Sequence, residues 1–335
     1  MRFAVIGAGA IGGFLGARLA LAGEDVTFIA RGANLDAIGR GGFKLIEADG
    51  REQVATTAKA QAIADAGPTD VVLLAVKAQQ VAALASDIPR LFGPDTVVVT
   101  LQNGVPWWFF HKLAGPYEGR PVHIADPDGA IAANIPAERV IGSVVYPAAE
   151  LVAPGMVRVV EGDRFTLGEP DGSKSERVRA VSEALTAAGF KAPVSSDIRA
   201  EIWLKLWGNV AFNPMSALTH ATLADLCQFD PTRALAAAMM AEAQAVAEKL
   251  GVRVRISIDK RIAGAEAVGA HKTSMLQDVE AGRALELDIL VGSVIELARL
   301  TQTPTPSIDA VYACASLLAK TLDDAKGRLA IQPRG

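Results

Sequence analysis

A glycine-rich turn near the amino terminus constrains the fold more than any other feature of the sequence. Gly7-Ala8-Gly9-Ala10-Ile11-Gly12 follows an apolar run, Arg2–Ile6, and opens a helical pattern over Gly12–Ala22. In such a strand–turn–helix unit the glycines permit a tight turn, close approach of a pyrophosphate and close helix packing. The dipole and amide groups of the helix start favour phosphate. The segment predicts a dinucleotide site; the alternative is a packing turn without a ligand.

The first half of the chain alternates β-branched runs with helical patterns. Strands are predicted at Arg2–Ile6, Asp25–Ala30, Val71–Val76 and Thr96–Leu101, with a helix over Gln79–Leu91. This alternation favours right-handed crossovers and a mostly parallel sheet. Later runs at Val140–Val145, Met156–Val160 and Arg164–Leu167 predict strands that extend the sheet or form an antiparallel edge.

Strand signals fade in the second half, where helical patterns dominate. After the capping residues Ser195-Ser196-Asp197, helices are predicted over a long apolar segment and over Ala234–Leu250, His271–Ala281, Arg283–Arg299 and Ser307–Lys320. We therefore predict an α/β chain. A Rossmann-type dinucleotide-binding domain spans residues 1–193, an all-helical domain spans residues 194–326, and residues 327–335 form a tail.

The end of the second predicted strand indicates which dinucleotide binds. An NAD site usually carries an Asp or Glu there, and its carboxylate accepts a hydrogen bond from the ribose 2′-hydroxyl. Here Arg31 follows the strand and no acid stands beside it. A guanidinium matches a 2′-phosphate in charge and geometry. We predict NADPH rather than NADH; in the alternative, Arg31 is a solvated surface residue.

Two other loops follow predicted strands, where open α/β sheets bind ligands. Lys77 in the first loop could meet a phosphate or carboxylate, and Asn103 in the second could orient the nicotinamide or the substrate. Taken alone, each residue is better explained as an ordinary loop residue.

One helix of the second half carries polar residues on an apolar background. Lys205, Asn209 and Asn213 recur every four residues and so share one face. Buried polar groups need partners or a ligand, and a positioned lysine can protonate a carbonyl oxygen as hydride reaches the carbon. The alternative is a snorkelling lysine with amides in helix-end hydrogen bonds. Pro214 is expected to break or kink the helix.

A polar segment, His271–Asp288, offers three more candidate substrate ligands, which are Ser274, Asp278 and Glu286. On an ideal helix Glu286 lies about 120° from Ser274, so helical phase pairs Ser274 with Asp278 instead. The alternative is a solvated charged face.

Composition and charge exclude several classes of protein. A net charge of −4 argues against a broad nucleic-acid surface. The sequence has no apolar run long enough for a transmembrane helix and no signal-peptide cleavage context, so a cytoplasmic location is expected. Cys227 and Cys314 show no disulfide or zinc spacing and are expected to be buried thiols. The apolar helical half is compatible with a homodimer.

Together these residues resemble the ketopantoate reductase, or 2-dehydropantoate 2-reductase, family. The matching positions follow the family order through nearly the whole chain: Gly7–Gly12, Arg31, Lys77, Gln80, Asn103, Lys205, Asn209, Asn213-Pro214, Thr273–Asp278 and Glu286. The resemblance implies NADPH-dependent reduction of 2-dehydropantoate to (R)-pantoate, a step toward pantothenate and coenzyme A, without a catalytic metal.

The resemblance also implies a role for each matching residue. Lys205 is the general acid and Glu286 orients a polar group, while Asn209, Asn213 and Ser274 hold the substrate. Asn103 lies by both nicotinamide and substrate. The remaining matches would bind the cofactor: Gly7, Ala8, Gly9, Ala10, Ile11, Gly12, Arg31, Lys77 and Gln80.

Three other functions compete with this one. The first is a reductase of another 2-oxo acid, of the D-2-hydroxyacid dehydrogenase type. The bulky segment Trp107–Phe110 departs from the family pattern, which leaves the identity of the substrate open. The 3-hydroxyacid and 6-phosphogluconate dehydrogenases have a similar helix but usually a glycine where Glu201 stands. A non-enzymatic NADPH sensor would lack the proton donor, whereas Lys205 is present.

Overall fold

The computed structural model describes residues 1–332. Its strands are β1 (Arg2–Ile6), β2 (Asp25–Ile29), β3 (Phe43–Ile46), β4 (Glu52–Ala55), β5 (Lys59–Gln61), β6 (Thr69–Leu74), β7 (Phe92–Thr100), β8 (Val140–Val145), β9 (Ala148–Ala153), β10 (Met156–Glu161) and β11 (Phe165–Gly168). Its helices are α1 (Ala10–Leu21), α2 (Gly32–Gly41), α3 (Ala78–Val81), α4 (Ala130–Asn134), α5 (Glu176–Ala187), α6 (Ile198–Thr219), α7 (Leu223–Gln228), α8 (Asp230–Lys249), α9 (Ile258–Ala267), α10 (Ser274–Ala281), α11 (Ser293–Leu300) and α12 (Pro306–Asp324).

The chain forms two compact units. The first comprises Met1–Pro121 and Asp126–Glu201; the second comprises Val122–Ala125 and the chain from Ile202 onward. All the strands named above lie in the first unit, and α7–α12 lie in the second. The predicted fold class, an α/β domain followed by a helical one, is confirmed. The predicted boundary after residue 193 precedes α6, whereas the units divide within that helix.

The predicted tail, residues 327–335, lies partly beyond the described chain. Residues 327–332 contain no helix or strand, and residues 333–335 lie outside the described residues.

The larger sheet of the first unit is mostly parallel. Its strand order is β11-β8-β7-β6-β1-β2-β5, and β11 alone is antiparallel to its neighbour. From β1 the chain continues to β2 on one side and later to β6 on the other. This reversal creates a crevice beyond the carboxyl ends of the strands, where such sheets bind ligands.

A second sheet, of order β4-β3-β10-β9, was not predicted as such. It takes up β10 and β9, so only β8 and β11 of the later strands extend the larger sheet. Helix α1 packs against strands of both sheets, which explains why it is apolar around most of its surface, with Arg18 as its one charged residue. A Cβ at Gly13 would lie 2.4 Å from the Phe43 ring, so a glycine is needed for this close packing.

The helical unit is organised around α8, which packs against α7, α9, α11 and α12. Two polar contacts fix this arrangement. The buried indole of Trp207 donates to the Met240 carbonyl at 2.5 Å. Glu242 accepts from the amides of Ser307 and Ile308, at 2.9 and 3.0 Å, and so caps the start of α12.

Several predicted helices have other boundaries in the structure. The helix predicted over Gln79–Leu91 is wrong, because only α3 and two short 3₁₀ turns form there. The second of these turns, Ile88–Leu91, carries Pro89, whose missing amide prevents a continuous hydrogen-bond ladder. The helix predicted from His271 begins at Ser274, after the N-cap Thr273.

The helix predicted over Arg283–Arg299 is also wrong at its start. Residues 283–286 are not helical, and the helix opens with a π turn, Asp288–Gly292, that leads into α11. Conversely, α6 does not break at Pro214 but continues to Thr219. Apolar packing keeps the helix together there, since Phe212, Met215 and Ala217 are all buried.

The prediction that both cysteines are buried is half wrong. Cys227 is buried, whereas Cys314 lies on the solvent side of α12 and is exposed. Residues 310, 313, 314 and 317 of that helix are all exposed, so position along the helix, not residue type, decides the exposure of Cys314.

Candidate active site

The first group of candidate residues lies at the carboxyl ends of neighbouring parallel strands. The glycine-rich turn follows β1, Lys77 follows β6, and Asn103 follows β7. The loops after β6 and β7 are joined by Gln102, whose Nε2 donates to the carbonyls of Leu74 and Val76 at 2.6 and 3.0 Å. The fold therefore brings these three predicted site segments to one edge of the sheet.

The three glycines of the turn have different structural roles. Gly7 has a φ of 103°, which an L side chain rarely adopts. A Cβ at Gly12 would lie 2.0 Å from the Gly7 carbonyl oxygen. Gly9 is different, because a Cβ there would have no atom of the described residues within 4 Å. The space beside Gly9 is therefore open to a ligand.

The start of α1 is suited to an anion. Gly9 is its N-cap and offers no side chain to the first-turn amides, and the first turn holds no acidic residue. Those amides and the helix dipole remain available for a phosphate. The residues present thus fit the pyrophosphate of a dinucleotide.

Arg31 stands where a group that selects the cofactor is expected. It follows β2, the neighbour of β1, and is the exposed N-cap of α2. One turn further, Asn34 accepts from the Gly155 amide at 2.9 Å and donates to the Ala8 carbonyl at 3.4 Å. Asn34 thus ties the start of α2 to the glycine-rich turn, a contact that the sequence analysis missed.

Lys77 and Gln80 are joined by a hydrogen bond within the loop after β6. Lys77 is the N-cap of α3, and its amide donates to Oε1 of Gln80 at 3.2 Å. Lys77 and Asn103 are half-buried, whereas Gln80 is exposed. The loop is thus held by Gln80, which leaves Lys77 at the sheet edge.

The second group lies on α6, whose single continuous helix holds Lys205, Asn209 and Asn213 on one face. Lys205 and Asn209 are half-buried, and Asn213 is buried. In residues 1–332 neither asparagine side chain has a hydrogen-bond partner. Since buried amides are nearly always paired, buried Asn213 is suited to bind a ligand, and half-buried Asn209 lies one turn before it on the same face.

Lys205 is electrostatically unusual. Burial lowers the pKa of its ammonium group to about 8, and the nearby Glu286 carboxylate opposes part of that shift. Glu286 lies just before the π turn and is half-buried. The structure therefore brings Glu286 to Lys205, although their positions are far apart in sequence.

Ser274 and Asp278, the other two candidate ligands in His271–Asp288, have different surroundings. Ser274 is the exposed first residue of α10. Asp278 is buried, and its Oδ1 accepts from Nε of Arg283 at 2.7 Å. That ion pair gives Asp278 a structural partner and leaves Ser274 as the accessible side chain.

The aromatic segment Trp107–Phe110 belongs to the interior of the first unit. All four side chains are buried, and Trp108 donates to Thr100 Oγ1 at 3.1 Å. Buried Arg199 holds the segment by donating to the carbonyls of Phe109, His111 and Pro170. The bulk of this segment is explained by packing.

Two other kinds of feature are absent from the described part of the chain. Within residues 1–332 no helix combines the length and apolarity needed to cross a membrane. The same residues hold no group of three or more His, Cys, Asp or Glu side chains placed to bind a metal ion.

Comparison with known proteins extends these observations over nearly the whole chain. Residues 3–172 match the family model "Ketopantoate reductase PanE/ApbA", and residues 197–319 match "Ketopantoate reductase PanE/ApbA C terminal". A 2-dehydropantoate 2-reductase of Mesorhizobium japonicum is 54% identical over 320 residues, which are 95% of this chain and 98% of that protein.

Solved structures give the same picture. A provisionally named ketopantoate reductase from Ralstonia solanacearum superposes with a TM-score of 0.91 at 42% identity, over 96% of this chain and 98% of the other. A D-mandelate dehydrogenase, solved with NADH and anilino(oxo)acetate, has a TM-score of 0.81 at 22% identity, over 96% of this chain and all of the other. That second likeness shows a shared fold.

Proposed function

The chain belongs to the ketopantoate reductase family, and we propose that it catalyses the NADPH-dependent reduction of 2-dehydropantoate to (R)-pantoate, in pantothenate and coenzyme A biosynthesis. One observation supports the chemistry most directly. Lys205, with its lowered pKa, shares a helix face with two amides that have no hydrogen-bond partner among the described residues. A proton donor and groups for holding a polar substrate thus occur together.

The first unit supplies the predicted cofactor site. The Gly7–Gly12 turn would hold the pyrophosphate, Arg31 the 2′-phosphate, and Lys77 and Gln80 the loop beside them. Asn103 would contact the nicotinamide and the substrate. When bound, NADPH supplies the hydride.

Lys205 would supply the proton. Its Nζ donates to the keto oxygen of the substrate, where negative charge develops as the carbonyl carbon is reduced. A pKa of about 8 suits this role, because the ammonium is still populated at neutral pH and yet gives up its proton readily. Glu286 would orient the ammonium, while Asn209, Asn213 and Ser274 hold the other polar groups of the substrate.

A turnover assay tests the proposal. The purified protein is given NADPH with 2-dehydropantoate or one of several other 2-oxo acids, and the loss of NADPH absorbance is followed. We expect preferential consumption of 2-dehydropantoate and (R)-pantoate as the product. Turnover of none of these acids would refute the proposed activity.

A reductase of another 2-oxo acid, of the D-2-hydroxyacid dehydrogenase type, is the second candidate. The D-mandelate dehydrogenase shares this fold over the whole of its chain, so the scaffold is compatible with more than one acid. Faster turnover of a different acid in the same assay would favour this candidate.

Assembly and location belong to the same proposal. A ketopantoate reductase of Staphylococcus aureus with this fold is described as dimeric, and a homodimer is proposed here as well. Light scattering of the purified protein would distinguish a dimer from a monomer. The cytoplasmic location and the absence of a nucleic-acid partner stay predictions.

A further inference from the structure

We propose that Asn34 is a positioning residue for the cofactor, because its side-chain amide holds the start of α2, and with it Arg31, at a fixed place beside the Gly7–Gly12 turn. This inference rests on the proposed function, since it requires a dinucleotide with a 2′-phosphate. It assigns part of the choice of cofactor to a residue outside the motifs and to the second sheet, which supports that residue.

Both polar groups of the Asn34 side chain contact backbone from other parts of the first unit. Its Oδ1 accepts from the Gly155 amide at 2.9 Å, and its Nδ2 donates to the Ala8 carbonyl at 3.4 Å. Asn34 lies in the first turn of α2, three residues after the N-cap Arg31, and is half-buried. One side chain thus links α2 to two segments that are 26 and 121 residues away in sequence.

The contact with Ala8 bears on the amides that would bind phosphate. A trans peptide is planar, so its carbonyl and the next N–H point in opposite directions. Holding the Ala8 carbonyl towards Asn34 therefore turns the Gly9 N–H away from Asn34. Among residues 1–332 that N–H has no hydrogen-bond partner, and the space beside Gly9 is open. Asn34 thus helps to keep one donor for the phosphate in position.

The contact with Gly155 gives Asn34 a rigid support. Gly155 lies in the turn between β9 and β10, and its carbonyl accepts from the Lys44 amide of β3 at 2.8 Å. Its φ is 68°, and a Cβ there would lie 3.1 Å from Cβ of Ala37 in α2. A glycine therefore allows this close approach of the turn to the helix. The second sheet thus braces α2 through Gly155 and Asn34.

Arg31 benefits from this brace because its own side chain is exposed at the start of α2. A long side chain loses conformational freedom when it binds a ligand, so an Arg31 whose backbone also moved would bind the 2′-phosphate weakly. With α2 held in place, the pyrophosphate and the 2′-phosphate of one ligand meet partners that are already at the right separation. Such preorganisation lowers the cost of binding.

The test uses two ligands that differ only in the 2′-phosphate, adenosine 2′,5′-bisphosphate and AMP. Titration calorimetry gives the ratio of their dissociation constants for the wild type, Asn34→Ala and Asn134→Ala. We expect the wild type to prefer the bisphosphate and Asn34→Ala to lose about 5- to 10-fold of that preference. Asn134→Ala is the matched control and should keep the wild-type ratio, since this half-buried asparagine of the first unit donates to the Ala130 carbonyl within its own helix, α4.

The ratio separates positioning from a general loss of stability. A variant that is merely less stable should bind both ligands more weakly in proportion, and the ratio would not change. Loss of the contact with Ala8 should likewise weaken both ligands through their shared 5′-phosphate. In the double variant with Arg31→Ala, the Asn34→Ala change should leave the ratio as it is in Arg31→Ala, because Asn34 acts on the 2′-phosphate through Arg31.

Hydrogen exchange of the wild type gives a second test, which needs no variant. A ligand whose binding depends on the Asn34 contact must also stabilise that contact, because coupling between sites is reciprocal. Adenosine 2′,5′-bisphosphate should therefore slow exchange of the Gly155 amide, and AMP at the same saturation should slow it less. Equal protection by both ligands would contradict the coupling of Gly155 to Arg31.

The outcomes separate this inference from the proposed function. If the wild type prefers the bisphosphate and the ratio for Asn34→Ala stays within about twofold of the wild-type ratio, the inference is wrong and the proposed cofactor stands. A ratio that falls further when Asn34→Ala is added to Arg31→Ala would also overturn it. If the wild type does not prefer the bisphosphate, the proposed use of NADPH falls together with the inference.

Discussion

The two groups of candidate residues differ in how the chain assembles them. In the first unit, the turn Gly7–Gly12 is one contiguous segment, and the other members follow the carboxyl ends of adjacent strands. In the second unit, Lys205 and Glu286 come from segments far apart in sequence and meet only through helix packing. The candidate residues of the first unit are thus brought together by the strand order, whereas those of the helical unit come together only through tertiary packing.

This difference predicts how each group responds to substitution. Changes at the sheet edge should mostly alter cofactor binding, because backbone amides and the sheet provide that site. Changes in the helical group should mostly alter proton transfer and substrate binding. The following four predictions, from the largest effect to the smallest, test that division.

Lys205→Ala should have the largest effect. Loss of a general acid should lower kcat by about 100- to 10,000-fold, while the dissociation constant for NADPH, measured by fluorescence titration, stays the same. Lys272→Ala is the control, since this exposed lysine pairs with Glu280 at the surface. A Lys205→Ala enzyme with near-normal kcat would contradict the assignment of the proton donor.

Substitutions of two glycines should separate binding from folding. Gly9→Val projects into open space and should weaken NADPH binding by about 10-fold or more with little change in Tm. Gly12→Val forces a side chain onto the Gly7 carbonyl and should lower Tm by several degrees. Thermal melts with and without NADPH measure both. An unstable Gly9→Val protein would argue against the open space beside Gly9.

Arg31→Ala should change the choice of cofactor. Removing a charged contact to the 2′-phosphate should raise the KM for NADPH by about 10-fold or more. The KM for NADH, which lacks that phosphate, should hardly change. Equal effects on both cofactors would contradict the assignment of Arg31 to the 2′-phosphate.

The pH dependence gives the smallest and most specific effect. Reduction needs protonated Lys205, so kcat/KM should fall as pH rises through about 8, where the ammonium loses its proton. Glu286→Gln removes the carboxylate that raises this pKa, so the alkaline limb should move to lower pH. Lys205→Arg should abolish the limb. A limb that does not move in Glu286→Gln would contradict the coupling of these two residues.

Much of the first unit could be predicted from sequence because its signals are local. The strand before the glycines, the turn itself and Arg31 follow one another within a few dozen residues. The second sheet escaped prediction because β3 and β4 are only four residues long, which is too short to show a clear alternation. Its parallel pairing of β3 with β10 also joins distant segments.

The helical group was only partly predictable. The four-residue spacing placed Lys205, Asn209 and Asn213 on one face, and the structure agrees. Helical phase did not bring Glu286 to the site, because it assumed an ideal helix from Ser274 to Glu286, whereas residues 283–286 are not helical. The guanidinium of Arg261 lies so close to Gly208 that a Cβ there would be 1.9 Å from Nη2, a contact that depends on how α9 packs and that no local pattern encodes.

The π turn at Asp288–Gly292 also bears on how such chains diverge. A π turn holds one residue more than an α turn, so deleting a single residue there would restore a regular helix. The wider turn absorbs the extra residue, so the helix on either side keeps its direction. Glu286, just before this turn, would still face the same way after the deletion. A one-residue gap in a sequence alignment at this point is therefore compatible with an unchanged position of Glu286.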